Sequence, residues 1–164
     1  NDFPEETSQL HKRYNVSHKI HYEKGIDLAD LSKFPPNSFD LVVFKSVLGA
    51  LTHKEKQQKA FEEMKRVLKP GGAILFAENS KGSKLHSVFR KNFIKWSSYW
   101  RYLDFKRDQD LFTGFSSVKL TTSGFIAVFG RTEKQRSVLA KFDSIIDPIL
   151  PPSFNYVIFG VLTK

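Results

Sequence analysis

Glu78 and His86 are the two residues of this chain best suited to move a proton. Glu78 directly follows the apolar run Ala73–Ala77, and the carboxyl end of a buried strand is where open α/β sheets bind their ligands. A carboxylate or an imidazole placed there can take the proton of a hydroxyl nucleophile. The two therefore form a candidate acid–base pair. The competing reading has Glu78 capping the segment that follows and His86 facing solvent. Lys45 and Ser46 follow a second apolar run, Phe39–Phe44, and the same rule puts them at a strand end. His53 reads as a residue of a helix start rather than as a base.

These positions depend on the elements that carry them. Phe39-Asp40-Leu41-Val42-Val43-Phe44 is nearly continuous apolar sequence, which suits a strand buried on both faces in a parallel sheet. Thr52 and Glu55 have capping-box spacing. Behind them Ala60, Phe61, Met64, Val67 and Leu68 recur on one helical face, and Pro70-Gly71-Gly72 stops the helix before the strand Ala73–Ala77. Strand, helix and strand make a βαβ unit. Lys19–Tyr22 reads as a further short strand, preceded by a polar helix or loop. Ser83–Trp100 reads as one amphipathic helix with Leu85, Val88, Phe89, Phe93, Trp96, Tyr99 and Trp100 on its apolar face. Ser116–Phe125 alternates as a strand, Thr132 and Gln135 form a second capping box opening a helix to about Ile145, and Asn155–Leu162 is a final strand.

Composition narrows the classes. The chain has 164 residues, 40% hydrophobic and 26% charged, enough for one compact core. The 16 phenylalanines predict an aromatic core or aromatic binding surfaces. With no cysteine, disulfide frameworks and zinc–thiolate centres are excluded. No run approaches the roughly 20 apolar residues of a membrane span, and the opening residues lack a signal-peptide pattern, so a cytoplasmic location is expected, with contact at a membrane surface left open. The net charge of +9 is concentrated: eight cations stand between Lys81 and Arg107 against the single anion Asp104. That segment is a helix packing its aromatic face on the sheet, an acceptor-binding surface, or a face for an anionic partner. No nucleic-acid-binding signature accompanies it.

In order along the chain stand Gly25…Asp27-Leu28, then Asn37-Ser38-Phe39-Asp40-Leu41-Val42-Val43, then Glu62-Glu63-Met64-Lys65-Arg66-Val67-Leu68-Lys69-Pro70-Gly71-Gly72, then Ile74-Leu75-Phe76. This set resembles the central part of class I S-adenosylmethionine-dependent methyltransferases, over about Ile20–Glu78 and more loosely over Ser116–Lys164. The resemblance implies an α/β, Rossmann-like, mostly parallel sheet with flanking helices and a C-terminal antiparallel strand, and S-adenosylmethionine as cofactor. It implies that Asp27 accepts from the adenine amino group while Leu28 lies against the ring, with Asp30 as the alternative register; the competing role for Asp27 is to cap local N–H groups of a turn. It places the methionine moiety near Lys45 and Ser46, although a lysine beside a sulfonium repels it. Where relatives carry histidine after that strand, this chain has Gly49 and Ala50.

The family's glycine-rich loop, a helix-N-terminal site for close backbone approach to the cofactor, has no match here. Nor does the acidic residue that would hold the ribose. With Asn1 rather than Met in first place, the expectation is a single truncated domain over 1–164, its N-terminal part missing and the fragment alone inactive. Taken together, Phe76–Asn79, Gly82-Ser83, Leu85-His86, Arg90-Lys91, Phe93, Lys95-Trp96 and Trp100–Tyr102 resemble the acceptor-side region of methyltransferases of bacterial surface-polysaccharide synthesis. The expected function is therefore O-methylation of a sugar or related small hydroxylated acceptor. The alternative is a non-catalytic module whose basic aromatic face, 81–107, holds an anionic partner. A nicotinamide dehydrogenase is the third reading and needs the same absent loop.

Overall fold

A computed structural model of the protein describes residues 5–164; the side chains of Glu6 and of Trp96, counted above on an aromatic face, lie outside the described parts. Helix α1 (Glu5–Arg13) is followed by strand β1 (Phe39–Lys45), helix α2 (Lys54–Val67), strand β2 (Leu68–Asn79), helix α3 (Lys84–Phe93), strand β3 (Ser117–Ser123), helix α4 (Glu133–Ile146) and strand β4 (Val157–Thr163). The sheet order is β1-β2-β4-β3. β1 and β2 are parallel, and β4 runs antiparallel to both β2 and β3. Three strands thus share one direction and the C-terminal strand opposes them, the Rossmann-like α/β arrangement expected.

The β1-α2-β2 unit forms as the apolar pattern requires. Ala60, Phe61, Met64 and Val67 of α2 are buried on the sheet face that carries Ile74, Phe76, Ile158 and Leu162. Phe61 is the hub: its ring meets Phe44, Phe76 and Phe112 edge-on at centroid distances of 6.4, 6.0 and 5.2 Å. Close to it, Phe76 stacks on Phe44 at 5.4 Å. Gly160 on β4 makes room for the Phe76 ring, since a Cβ there would stand 2.1 Å from it.

Several expectations are corrected. The run in β1 suits burial on both faces, yet one face of the sheet is open, with Leu41, Val43, Phe159 and Val161 exposed. Helix α2 packs on the other side. The Thr52 capping box is absent: Thr52 adopts φ 61° and donates its N–H to Gly49 O, so α2 starts from His53. Lys19–Tyr22 forms no strand, because Ile20 and Tyr22 have no face to cover and stay exposed. The helix expected over Ser83–Trp100 ends at Phe93, where Ile94 turns extended; a short 3-10 turn covers Lys95–Ser98. Pro70-Gly71-Gly72 ends α2 and then lies within β2 as an irregularity, opposite the step from Phe39 to Leu41 on β1. The Thr132–Gln135 capping box and its helix form as read.

Replacing Phe61 by Ala removes the ring that joins α2 to β1 and β2, and is expected to cost about 3–5 kcal/mol. A urea titration measures it; a loss under about 1 kcal/mol would contradict this packing.

Candidate functional site

The segment that follows the Asp27 turn, Leu31–Phe34, is held by α2. Glu63 and Arg66, one helical turn apart, bind each other through Arg66 Nη2 and Glu63 Oε2 at 2.9 Å. Glu63 Oε2 also accepts from Leu31 N at 3.0 Å, while Arg66 donates to Leu31 O at 2.8 Å and Phe34 O at 3.0 Å. The arginine beside Glu63 holds its carboxyl below the usual carboxylate range. Leu28 is half-buried against the core, and Asp27 is exposed. Asp27 Oδ1 accepts from Ala29 N at 2.9 Å, which fixes a turn of the Asx kind. Asp30 does the same for Ser32 at 3.1 Å.

Glu78 builds the loop after β1. Its side chain lies on the core face of β2, 1% exposed, and Oε1 accepts from the N–H groups of Val47 and, at 2.9 Å, of Leu48. Gln57 Nε2 holds the same loop by donating to Leu48 O at 2.9 Å and to Arg101 O at 3.2 Å. Arg101 N donates to Gly49 O at 3.0 Å. A Cβ on Gly49 would stand 1.8 Å from the Trp100 indole, so no larger side chain fits at that position. Lys45 and Ser46 are thereby presented, exposed, at the carboxyl end of β1. Ser46 takes φ 53°, donates N–H to Ala77 O at 2.9 Å, and receives Asn79 Nδ2 on its hydroxyl at 3.4 Å.

Glu78 and His86 do not form the acid–base pair expected of them. His86 is fully buried at the start of α3, stacked on Phe129 at 5.2 Å. Ser83 N donates to Nδ1 at 3.1 Å, and Nε2 lies 2.7 Å from Phe125 O. An amide on one nitrogen and a carbonyl on the other require the neutral ring with its proton on Nε2. Burial keeps its pKa low, and its two nitrogens are committed to holding loops together. It is neither solvent-facing nor free to relay a proton. Glu78 is tied to the loop through Oε1 alone; Oε2 is buried without a hydrogen-bond partner, and burial pushes the carboxyl above its ordinary value.

Beyond the end of β2 opens a pocket of about 440 Å³ lined by Asn79, Phe89, Arg90, Tyr102, Arg131, Arg136 and Tyr156, among others. Arg90 also lines a larger cleft of about 970 Å³. Its Nη1 donates to Lys81 O at 2.9 Å and its guanidinium lies over the Tyr102 ring at 4.1 Å. The sequence marks Arg90 only as one cation of the basic segment 81–107, and it does not single out Gln57 or Asp143. All three sit among apolar residues on amphipathic helices, and a polar residue at a core-facing helical position was the signal available.

Glu78 yields a prediction with a definite sign. A carboxyl whose folded pKa is raised binds its proton more tightly in the folded state, so its burial destabilises increasingly as pH rises from the ordinary carboxylate range. Glu78→Gln keeps the acceptor for Val47 and Leu48 without a charge. It should equal or exceed the parent in stability at neutral pH, with a gap that narrows on acidification. Glu78→Ala leaves both amides unmatched and should cost about 1–3 kcal/mol. Chemical denaturation across pH measures both; a Gln variant less stable than the parent at neutral pH would refute this account.

Residues 2–76 match a family described as "Methyltransferase domain". The match includes Asp27, Leu28, Lys45 and Ser46 and stops short of Glu78 and His86. Among curated proteins, a ubiquinone/menaquinone biosynthesis C-methyltransferase, UbiE, of Cupriavidus taiwanensis is 39% identical over 77 residues, 43% of this chain and 30% of the relative. The chain thus matches less than a third of that relative's length. Among solved structures, an S-adenosylmethionine-dependent methyltransferase from Archaeoglobus fulgidus superimposes with TM-score 0.61 at 12% identity, covering 97% of this chain and 81% of the other. A possible histamine N-methyltransferase from Thermotoga maritima gives 0.59 at 17% identity, covering 93% and 69%. No helix among the described residues is long and apolar enough to cross a membrane. The fold is Rossmann-like, and residues 2–76, a little under half of the chain, are similar to a methyltransferase domain.

Proposed function

We propose that the protein transfers a methyl group from S-adenosylmethionine to a small ring-bearing acceptor held in the pocket beyond β2. The observation that carries this reading is the convergence at one sheet edge. The ends of the parallel strands β1 and β2 meet through Ser46 and Asn79, and Asn79 also lines the pocket. The residues at hand fit one wall of a cofactor site. Asp27, exposed on an Asx turn, supplies an acceptor for the adenine amino group, and half-buried Leu28 an apolar surface for its ring. Ser46 and Lys45 stand at the methionine end; the lysine suits the carboxylate there and not the sulfonium, since like charges repel. When bound, the cofactor supplies an electrophilic methyl group.

The acceptor is read as a hydroxylated ring, a sugar or related small molecule, methylated on oxygen. With His86 committed to backbone groups and Glu78 buried on the core face of β2 with Oε1 on the loop amides, the protein's contribution is to position the acceptor and exclude water. A second reading, methylation of a ring carbon, is favoured by the similarity to C-methyltransferases of ubiquinone/menaquinone biosynthesis and by the aromatic side chains of Phe89, Phe93, Tyr102 and Tyr156 around the pocket. Mass analysis of the product of a methyl-transfer assay separates the two.

The test of the common reading is thermal denaturation of the full-length protein with S-adenosylhomocysteine. Ligand at 100 times its dissociation constant should add about 2.7 kcal/mol of stability. Asp27→Ala should weaken binding about tenfold while leaving the fold intact, as expected for loss of a charge-assisted hydrogen bond. Absence of any shift at millimolar ligand would overturn the enzyme in favour of a non-catalytic module that holds an anionic partner. Unchanged affinity in the Asp27 variant would remove that residue from the site.

A further inference from the structure

The pocket beyond β2 is lined by three arginines and by no carboxylate. They come from separate places in the chain: Arg90 from α3, Arg131 from the turn before α4, and Arg136 from the first turns of α4 itself. Arg90 is 6% exposed. Its partners are a backbone carbonyl and the face of Tyr102. Arg136 Nε is likewise directed to a carbonyl, that of Gly130 at 2.9 Å.

The rest of the protein treats its half-buried arginines differently. Arg66 pairs with Glu63 at 2.9 Å and Arg101 with Asp108 at 2.6 Å. Among the described residues no carboxylate pairs with Arg90, Arg131 or Arg136. A buried guanidinium without a counter-charge is costly. The adjoining cleft shares Arg90 and Tyr102 and adds Lys91 and Lys95, and there the carboxylates of Asp104 and Asp108 stand among the cations. Aromatic side chains complete the wall, so the pocket offers planar donors beside ring-sized apolar surface.

We infer that this pocket binds an oxyanion, a carboxylate or a phosphate, carried on a ring, and that Arg90 is the residue that receives it. The planar fork of an arginine pairs with two oxygens of such a group at once, which fixes its orientation as well as its affinity. The inference rests on the proposed methyl transfer in one respect, that it makes the bound molecule the acceptor. Anion binding itself does not require the cofactor. The substrate class is thereby narrowed from hydroxylated rings in general to those bearing an acid group.

Calorimetric titration of the full-length protein with phenyl phosphate, benzoate, benzyl alcohol and inorganic phosphate tests it. One of the two ring-borne oxyanions should bind about tenfold more tightly than benzyl alcohol, and whichever it is tells phosphate from carboxylate. Phenyl phosphate should exceed inorganic phosphate if the ring is held. Arg131→Gln and Arg136→Gln, on α4 and its approach, should each weaken the preferred anion, and Arg90→Lys, which keeps the charge but loses the fork, should weaken it about tenfold. Equal binding of benzyl alcohol, no binding of either ring-borne anion at millimolar concentration, or unchanged affinity in all three folded variants would overturn the inference. S-adenosylhomocysteine titrated separately distinguishes the failures. Anion binding without it sinks the methyl-transfer reading alone, and cofactor binding with no preference for anions sinks this one alone.

Discussion

Two neighbouring parallel strands cannot be joined by a tight turn, and that constraint organises the protein. The chain must leave the carboxyl end of β1, cross back over the sheet and enter β2 at its other end. Helix α2 does this, and it stays on the sheet because Ala60, Phe61, Met64 and Val67 form one buried stripe against Ile74 and Phe76. The consequence is that Ser46 and Asn79 emerge side by side at the same edge. Once the crossover is fixed, short segments continue from that edge: a loop of a few residues after β1, and the approach to α3 after β2.

The loops at that edge are held by polar side chains that reach inward. Glu78 accepts the amides of Val47 and Leu48, and Gln57 reaches Leu48 and Arg101 from α2. Glu63 and Arg66 do the same for Leu31, just after the turn that carries Asp27. This explains why a glutamate three residues before an arginine sits near the end of the helix, since its work is to hold a loop thirty residues upstream. Buried carboxylates that accept amides cost desolvation but fix a loop more tightly than apolar contacts can. Such rigidity is what a binding surface requires.

Much of this was legible in the sequence. The βαβ unit follows from two apolar runs around one helical stripe, and the Thr132 capping box marked α4 correctly, because both signals are local. What failed depended on partners the sequence does not name. Thr52 had the right neighbour in Glu55 but was drawn into a left-handed turn by the loop before it. The aromatic spacing from Leu85 to Trp100 was helical throughout, yet Trp100 is needed over Gly49, and the chain bends after Phe93 to deliver it. Glu78 and His86 were the right residue types at the right edge. Their side chains turn to backbone groups instead of to each other, and spacing along a chain carries no information about that choice.

The same inward turn of the acids accounts for the electrostatics of the outer edge. The buried acids are Glu63, Glu78, Asp108 and Asp143. Asp143 is consumed by the amides of Ile126 and Ala127, at 2.7 and 2.9 Å, and Asp147 near it by Gly124 and Ser123. Asp108 is taken by Arg101 and the amide of Asp104. A protein with a net charge of +9 has few acids to spare, and here those nearest the edge are spent on folding loops. The arginines left on the pocket wall therefore keep their field for something that arrives from solution. Because low-dielectric surroundings strengthen such a field, the anion that answers it gains more there than at an exposed lysine.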